Sequence, residues 1–287
     1  MDYSEFQPKA SFSRHIECFW RLTLQPKEVN QQYELLAPDC SFDIIFSEDP
    51  VQFLSVHSVE KQNLPAGAVF VGQKTSGTYF SITQPQEIFG IRFKPFAFAH
   101  LFPIPPNQLT NKVLPLERVF SLNKVGRGLI QSILKARDNQ AKITLAEQLI
   151  LTLFDELFYI DQTFRAQLNY IMNRKGILKI QDLFTEFGVS KVTLHKHFLA
   201  KMGLTPKQVS RIWRFNHFLQ LQQQANQKNL TTLALEAGYY DQAHFIHEFK
   251  VFFRHCPRHI FQKESQLLRI SQGIIDRRFS NVYDPRM

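Results

Sequence analysis

One helix-turn-helix pattern occurs twice in the last third of the chain, and this repetition constrains the fold more than any other feature of the sequence. The first copy, residues 180–198, reads IQDLFTEFGVSKVTLHKHF, and the second, residues 231–249, reads TTLALEAGYYDQAHFIHEF. Each copy has a short apolar-spaced helix, a glycine at the turn and a second helix. The turn glycines, Gly188 and Gly238, are 50 residues apart, which leaves room for a connecting helix.

The turn glycines fit this assignment because glycine takes positive φ at little steric cost, and a sharp helix crossing needs that conformation. A single pattern of this kind is common in helical proteins, whereas two in tandem within a basic segment indicate a DNA-binding domain. The sequence therefore predicts two helix-turn-helix units joined by a linking helix over about Pro206–Gln224.

Charge is divided unevenly along the 287 residues, although the net formal charge of +9 hides the division. Residues 1–160 hold 15 Lys and Arg against 16 Asp and Glu, whereas residues 161–287 hold 19 against 9 and seven of the ten histidines. A basic half joined to a neutral half is typical of a polyanion-binding module attached to a domain with another role. The length is sufficient for two such domains.

Cysteine usage argues against a disulfide framework and a structural zinc site. The three cysteines are Cys18, Cys40 and Cys256, with no CxxC pair. Histidine pairs such as His195 and His197 have a spacing that metal sites use, but no cysteine or carboxylate cluster completes a site. No metal and no cofactor are predicted. The N-terminus has no apolar signal core, and the most apolar stretch is short and contains two acidic residues, so we expect a cytoplasmic protein without membrane association.

Residues 1–115 are predicted to be β-rich, because short apolar runs are separated by Pro, Gly, Asn and Asp turn signals. The runs are residues 42–46, 69–71, 79–82 and 88–93. Pro103, Pro105 and Pro106 argue against a helix in their segment. Strands at this spacing predict a β-barrel or a sandwich, here a sensor domain.

Residues 116–164 are predicted to form amphipathic helices, because apolar residues recur at spacings of three and four. They are Ile130, Ile133, Leu134, Leu145, Leu149, Leu153, Phe154 and Leu157. The stripe indicates burial without identifying the partner, so these helices form either a dimerisation or relay element or a layer packed on their own barrel. The overall class is α+β: a β-barrel with following helices, an all-α DNA-binding domain over residues 168–262, and a polar tail over residues 263–287.

Helical-wheel positions select the DNA-facing residues of the first unit. If Leu194 and Phe198 are the buried pair, the opposite face points to DNA with its N-terminal part in the major groove. The base-reading candidates are Val192, His195 and Lys196, and the phosphate candidates are Lys191 and Thr193. We expect Lys196 to donate to guanine O6 and N7, and Val192 to contact a thymine methyl group. Ser190 is the predicted N-cap.

The second unit has the same arrangement, with Phe245 and Phe249 facing inward and Asp241 as the helix cap. The base-reading candidates are Gln242, Ala243, Ile246 and His247, and the phosphate candidate is Lys250. The Gln242 amide can pair bidentately with adenine, and Ala243 or Ile246 can contact a thymine methyl group.

These residues resemble the AraC family of bacterial transcription regulators, whose pattern is two helix-turn-helix units bridged by a long helix. The matching pieces are GVSKVTLHKHF at 188–198, GLTP at 203–206, Arg214, ALEAGYYDQAHFIHEFK at 234–250, and Pro257. The resemblance implies base reading at nearly the set of positions that the helical wheel selects. It also implies double-stranded DNA and RNA polymerase as partners.

Several positions depart from the family pattern. Phe184 stands where a small residue is usual, and Arg254 stands where a glycine is usual. His247 occupies the position of an arginine late in the second recognition helix, which weakens the prediction of a guanine contact there. Ile260 and Phe261 replace the Tyr-Arg pair after the proline. The resemblance implies that the fold persists and that the contact chemistry of the second unit differs.

The N-terminal half resembles an uncharacterised cupin-like domain, through residues 17–20, 38–46, Gly72 and residues 90–95. This implies a sensor or oligomerisation role, and leaves open a small-molecule effector, a homodimer and whether the regulator is an activator or a repressor. The leading prediction is an effector-responsive, sequence-specific regulator that is not an enzyme. One alternative is a regulator whose N-terminal domain only dimerises. The other, a DNA-repair alkyltransferase regulator, needs a four-cysteine zinc site that the three scattered cysteines do not supply.

Overall fold

The computed structural model describes residues 2–24, 34–58, 60–82, 84–97, 101–154, 161–225, 229–262 and 268. Within these ranges, an N-terminal sheet domain (residues 2–154) precedes a C-terminal helical domain (residues 161–262). The predicted α+β class is confirmed. The predicted tail at 263–287 lies outside the described residues, apart from residue 268.

The N-terminal sheet domain contains two antiparallel sheets. Its strands are β1 (Asp2–Phe6), β2 (Ile16–Leu24), β3 (Glu34–Leu36), β4 (Phe42–Ser47), β5 (Val51–Ser55), β6 (Gln62–Leu64), β7 (Gly67–Val71), β8 (Thr78–Ile82), β9 (Gln86–Phe93) and β10 (Val113–Pro115). The larger sheet has the order β1-β2-β9-β4-β7-β10, and the smaller has the order β3-β8-β5-β6. Strand pairing among the described residues stays within each sheet, so these strands form two sheets and no closed ring of hydrogen bonds.

The larger sheet is covered on both faces, which explains why β4 is buried at every position. One face packs against the smaller sheet through residues such as Trp20 and Ile45, which meet Phe53 and Phe80. The other face is rich in phenylalanine and packs against helices. The predicted strands at 42–46, 69–71, 79–82 and 88–93 are all present.

The helices are α1 (Pro106–Leu109), α2 (Lys124–Lys135), α3 (Asn139–Leu153), α4 (Gln162–Asn173), α5 (Ile180–Phe187), α6 (Lys191–Met202), α7 (Pro206–Gln224), α8 (Leu230–Glu236), α9 (Gln242–Phe253) and α10 (Pro257–Gln262). None of the helices in the described ranges is long and apolar enough to cross a membrane. The expectation that the segment around Pro106 is not helical is wrong. Pro106 occupies the first position of α1, where its missing N–H group removes no hydrogen bond.

Helices α2 and α3 confirm the predicted amphipathic pattern. Asn123 and Asp138 cap their N-termini, and the stripe residues Ile130, Ile133 and Leu149 are buried against the larger sheet. Leu157 lies outside the described residues. Because these apolar residues pack against the sheet of their own chain, they are not available to a second copy. A dimerisation role for this segment stays a prediction and would need other residues.

Helix α7 is the linking helix, and its bounds agree with the predicted range. It begins sharply because Pro206 fits the first turn and Thr205 and Gln208 form a reciprocal capping box. Its apolar residues, among them Ile212 and Phe218, belong to one core that includes both helix-turn-helix units. The two units are therefore packed on a common support.

The two domains are docked against each other. Asn216 Nδ2 on α7 donates to the Pro38 carbonyl oxygen at 2.7 Å, and this bond is buried. Leu35 and Cys40 of the sheet domain belong to the same apolar core as the helical domain. The N-terminal domain is thus part of the surroundings of the DNA-binding elements.

Candidate nucleic-acid interface

The turn of the first unit has the geometry that the sequence predicts. Gly188 follows α5 with φ of 61°, in the left-handed region, and the next residues lead directly into α6. Ser190 caps α6 by accepting a hydrogen bond from the Thr193 backbone N–H at 3.0 Å. Leu194 and Phe198 are fully buried. The structure thus places the glycine at the end of α5, the serine at the start of α6 and the apolar pair inward, at the positions where the sequence analysis expects them.

The predicted contact residues of the first unit lie together on the outer face of α6. Val192 is 61% exposed, an unusual position for a large apolar side chain, and His195 and Lys196 are exposed beside it. Lys191 and Thr193 are exposed in the first helical turn, where backbone N–H groups and the helix dipole favour a phosphate. The structure brings these five residues to one surface, and their individual roles stay predictions.

The second unit repeats this geometry. Gly238 has φ of 81°, and Asp241 caps α9 by accepting a hydrogen bond from the His244 backbone N–H at 2.7 Å. Phe245 and Phe249 are buried, as the helical wheel predicts.

Three of the four base-reading candidates on α9 are exposed, namely Gln242, Ala243 and His247, and so is the phosphate candidate Lys250. The fourth candidate, Ile246, is half-buried, because part of its side chain packs against the apolar core. It can offer a partial surface to a thymine methyl group. The sequence analysis missed Tyr240, which is 86% exposed immediately before the Asp241 cap. An aromatic residue between the turn and the cap was the available signal.

A buried ion cluster fixes the second recognition helix to the linking helix. Glu248 on α9 has a side chain only 5% exposed, and it accepts hydrogen bonds from Arg211 Nε at 2.6 Å and from Arg214 Nη2 at 2.9 and 3.0 Å. Charge-assisted bonds of this kind orient both helices. Arg214 is named in the family resemblance, but its partner Glu248 was not predicted.

The first recognition helix has a looser anchor. Asp161 lies 3.4 Å from both His197 Nε2 and Lys201 Nζ, and His197 Nδ1 is 3.0 Å from Gln167 Oε1. Burial opposes ionisation of Asp161, but the bonds from the Phe164 backbone, His197 and Lys201 outweigh it and lower its pKa. His197 is therefore an internal contact. In the described part of the chain, no three His, Cys, Asp or Glu side chains are grouped to hold a metal ion.

Two stretches of the chain match known family models. Residues 183–263 match a model described as a helix-turn-helix domain, and residues 4–115 match a domain of unknown function, DUF6597. The first match includes both units and the linking helix. The resemblance to an AraC-type helix-turn-helix unit preceded by an uncharacterised domain is confirmed. Residues 183–263 thus form a helix-turn-helix domain.

Solved structures with a similar arrangement include ToxT from Vibrio cholerae. An apo ToxT variant from strain SCE256 is 11% identical, with a TM-score of 0.47, over 85% of this chain and 97% of that one. ToxT from strain O395 is 10% identical, also with a TM-score of 0.47, over the same shares. A predicted oxalate decarboxylase from Thermotoga maritima is 15% identical, with a TM-score of 0.24, over 32% of this chain and 77% of that one. No curated protein matches the chain significantly. Nothing about ligand or activity follows from values this low.

Proposed function

We propose that the protein is a sequence-specific transcription regulator whose two helix-turn-helix units read two successive segments of the major groove. One observation carries the proposal: each recognition helix buries one apolar pair, a leucine and a phenylalanine on α6 and two phenylalanines on α9. The opposite face of each helix exposes hydrogen-bonding and apolar residues. Lys196 and Gln242 are the side chains of these faces best suited to bidentate base contacts. The surrounding domain is strongly basic, which favours attraction to the phosphate backbone.

The common support of the two units favours joint reading of one DNA site. Helix α7 contributes Val209, Ile212, Phe215 and Phe218 to a single core that contains residues of both recognition helices. Packed cores resist continuous deformation, so the separation of the two reading faces is held nearly constant. Two faces at a fixed separation select a spacing between two short blocks of sequence.

The N-terminal sheet domain is proposed to carry an effector response, because one of its loops contacts both recognition helices. We name residues 72–77 the 72–77 loop. Gln73 Nε2 donates to the Met202 carbonyl oxygen at the end of α6, and the Gly77 N–H donates to the Phe252 carbonyl oxygen near the end of α9 at 2.8 Å. A change in the sheet domain can reach both reading faces through this loop.

The effector, a homodimer, contact with RNA polymerase and the absence of enzymatic activity stay predictions. Docking through the 72–77 loop can be tested without changing the DNA-facing surface. Gln73→Ala removes the bond to Met202 and should change the affinity of the protein for the DNA sequence that it prefers. Gln52→Ala on β5 is a control in the same domain. Equal DNA affinity for wild type and Gln73→Ala would show that this contact does not influence reading.

The primary experiment is selection of binding sites from randomised duplex DNA by the full-length protein, followed by salt titration. We expect an enriched sequence of two blocks. Binding should weaken with salt, with a log–log slope of about −0.9 per phosphate neutralised. A duplex of the same length and scrambled sequence is the control. Recovery of no enriched sequence, or affinity unchanged by salt, would contradict the proposal.

A further inference from the structure

A cavity of about 270 Å³ lies between the two domains, beside the 72–77 loop. The residues that matter in its lining are His57, Thr75 and Ser76 from the sheet domain, Gln208 and Arg211 from α7, and Phe252 from α9. The cavity thus touches the loop, the linking helix and the second recognition helix at once. Its position is separate from the outer faces of α6 and α9 proposed to read DNA.

The cavity walls are held by hydrogen bonds that leave mainly donors available. His57 Nε2 donates to the Val251 carbonyl oxygen at 2.6 Å, which fixes the ring across the domain boundary. Gln208 uses its Oε1 to accept from the Thr205 N–H at 2.8 Å, so its remaining group is the amide NH₂, a donor. The Ser76 hydroxyl makes no hydrogen bond to the described residues. These are groups that a bound acceptor would satisfy.

Arg211 supplies positive charge to the same cavity. Its Nε donates to Glu248, and its guanidinium lies 5.7 Å from the centre of the Phe252 ring, which supports it from one side. Its two Nη groups donate no hydrogen bond to any described residue. Glu248 is shared with Arg214, so the two arginines carry one more charge than the carboxylate balances. Among the described residues, no acidic side chain lines the cavity.

We infer that this cavity binds a compact anion, either a small carboxylate or a phosphate monoester, between the two domains. A guanidinium fork with free Nη groups pairs bidentately with such an anion, and the Ser76 and Gln208 donors can satisfy its other oxygens. The volume is below the roughly 300–1,000 Å³ typical of pockets for drug-sized ligands. It therefore suits a molecule of few heavy atoms and is too small for a long apolar chain.

The position of the anion gives it a regulatory consequence, which rests on the proposed function. A ligand held by groups from both domains binds the docked arrangement and not an undocked one. Its binding therefore stabilises docking by a free energy that grows with the logarithm of the anion concentration once that concentration exceeds the dissociation constant. Because α7 and α9 form one wall, the same contact fixes the second recognition helix relative to the 72–77 loop.

The test is calorimetric titration of the full-length protein at constant ionic strength with four probes: inorganic phosphate, glycerol 3-phosphate, malate and glycerol. We expect one anion per chain to bind and uncharged glycerol not to bind. The phosphate and malate arms distinguish the two sources of negative charge. Absence of binding by all three anions, or equal binding of glycerol, overturns the inference.

A matched pair of variants assigns the binding to this cavity. Gln208→Glu retains the oxygen that caps α7 and replaces the donor amide with a carboxylate, whereas Gln223→Glu adds the same charge at an exposed position of the same helix. Gln208→Glu should weaken anion binding about tenfold or more through like-charge repulsion, and Gln223→Glu should leave it nearly unchanged. Lys196→Ala should also leave it unchanged, since that residue faces DNA. Equal effects of the two glutamate variants would overturn the inference.

DNA binding by the same preparations separates the two proposals. Wild-type protein that reads its selected site but binds none of the anions would overturn the anion site alone. Wild-type protein that binds an anion yet shows no sequence preference would overturn the proposed function, together with the regulatory consequence drawn from it.

Discussion

The two helix-turn-helix units share one plan but are packed to different degrees. At the first turn, a Cβ added to Gly188 would meet no atom within 4 Å, whereas at the second a Cβ on Gly238 would lie 2.8 Å from Ile177 Cγ2. The anchor of α6 consists of two contacts of 3.4 Å to Asp161 and one of 3.0 Å to Gln167, whereas the anchor of α9 consists of charge-assisted bonds of 2.6–3.0 Å to the buried Glu248. Similar sequence patterns therefore do not imply equal rigidity.

The crowded turn also joins the two units. Ile177 lies in the segment between α4 and α5, three residues before the first unit begins, whereas Gly238 forms the turn of the second unit. The second unit adds a phenylalanine cluster in which Phe215 stacks on Phe252 with ring centres 4.4 Å apart. From this difference we expect the second unit to hold its geometry more strictly, and the coupling of both units to depend on it.

The largest effect should come from altering the DNA spacing. Insertion of about five base pairs between the two blocks of the selected site turns the second block to the opposite face of the duplex. If the units are rigidly coupled, affinity should fall by about a thousandfold, since each lost base contact is worth roughly 1–3 kcal/mol. Gel-shift titration measures the affinity. An insertion of about ten base pairs is the control, because it lengthens the spacing but returns the second block to the same face of the duplex. Retained affinity would show that the units move independently or that one of them does not read DNA.

A smaller effect should separate the two turns. Gly238→Ala and Gly188→Ala both place a side chain at positive φ. This should lower the free energy of unfolding by roughly 1–2 kcal/mol in each variant. Gly238→Ala should lose about 1–3 kcal/mol more in the free energy of unfolding, because the added Cβ collides with Ile177. Urea unfolding measures the difference, and footprinting should show weaker protection of the second block. Equal losses for the two variants would remove the proposed asymmetry.

Within the first unit, base reading and phosphate contact should separate. Lys196→Ala should reduce discrimination at one base position by about 1–3 kcal/mol. Lys191→Ala should weaken binding to selected and scrambled DNA alike, because phosphate contacts carry no sequence information. Binding assays on single-base variants of the site distinguish the two. Identical profiles for both variants would contradict this division of roles.

The smallest effect concerns the ends of the recognition helices. Helix α6 ends at Gly203, with φ of 72°, whereas α9 ends at Arg254, with φ of 62°. Arg254→Gly should stabilise the protein by about 0.5–1 kcal/mol, since glycine relieves the left-handed strain. The long bond from Arg254 Nη1 to the Val56 carbonyl oxygen, at 3.5 Å, offsets little of this gain. Thermal unfolding measures it, and a lower Tm would show that the Arg254 side chain matters more than its backbone.

The sequence predicts local features of this protein better than contacts between distant segments. The linking helix and the buried pair Leu194 and Phe198 follow from capping residues and helical spacing, which are properties of neighbouring positions. The bond from Asn216 to the Pro38 carbonyl joins positions 178 residues apart, and the carbonyl has no side-chain signature. The partial burial of Ile246 also depends on its packing against the apolar core, which a helical wheel does not include. Most of the candidate interface was therefore predictable from helical periodicity, whereas the contacts that support it were not.

The docking of the two domains depends largely on main-chain groups. Met202, Val251 and Phe252 each offer a backbone carbonyl oxygen to the sheet domain. A carbonyl group is the same for every amino acid, so substitutions along the ends of α6 and α9 can change what the protein recognises without removing these acceptors. The recognition helices are thereby free to diverge in sequence during evolution, while a deletion that shifts the register of either helix end would be selected against.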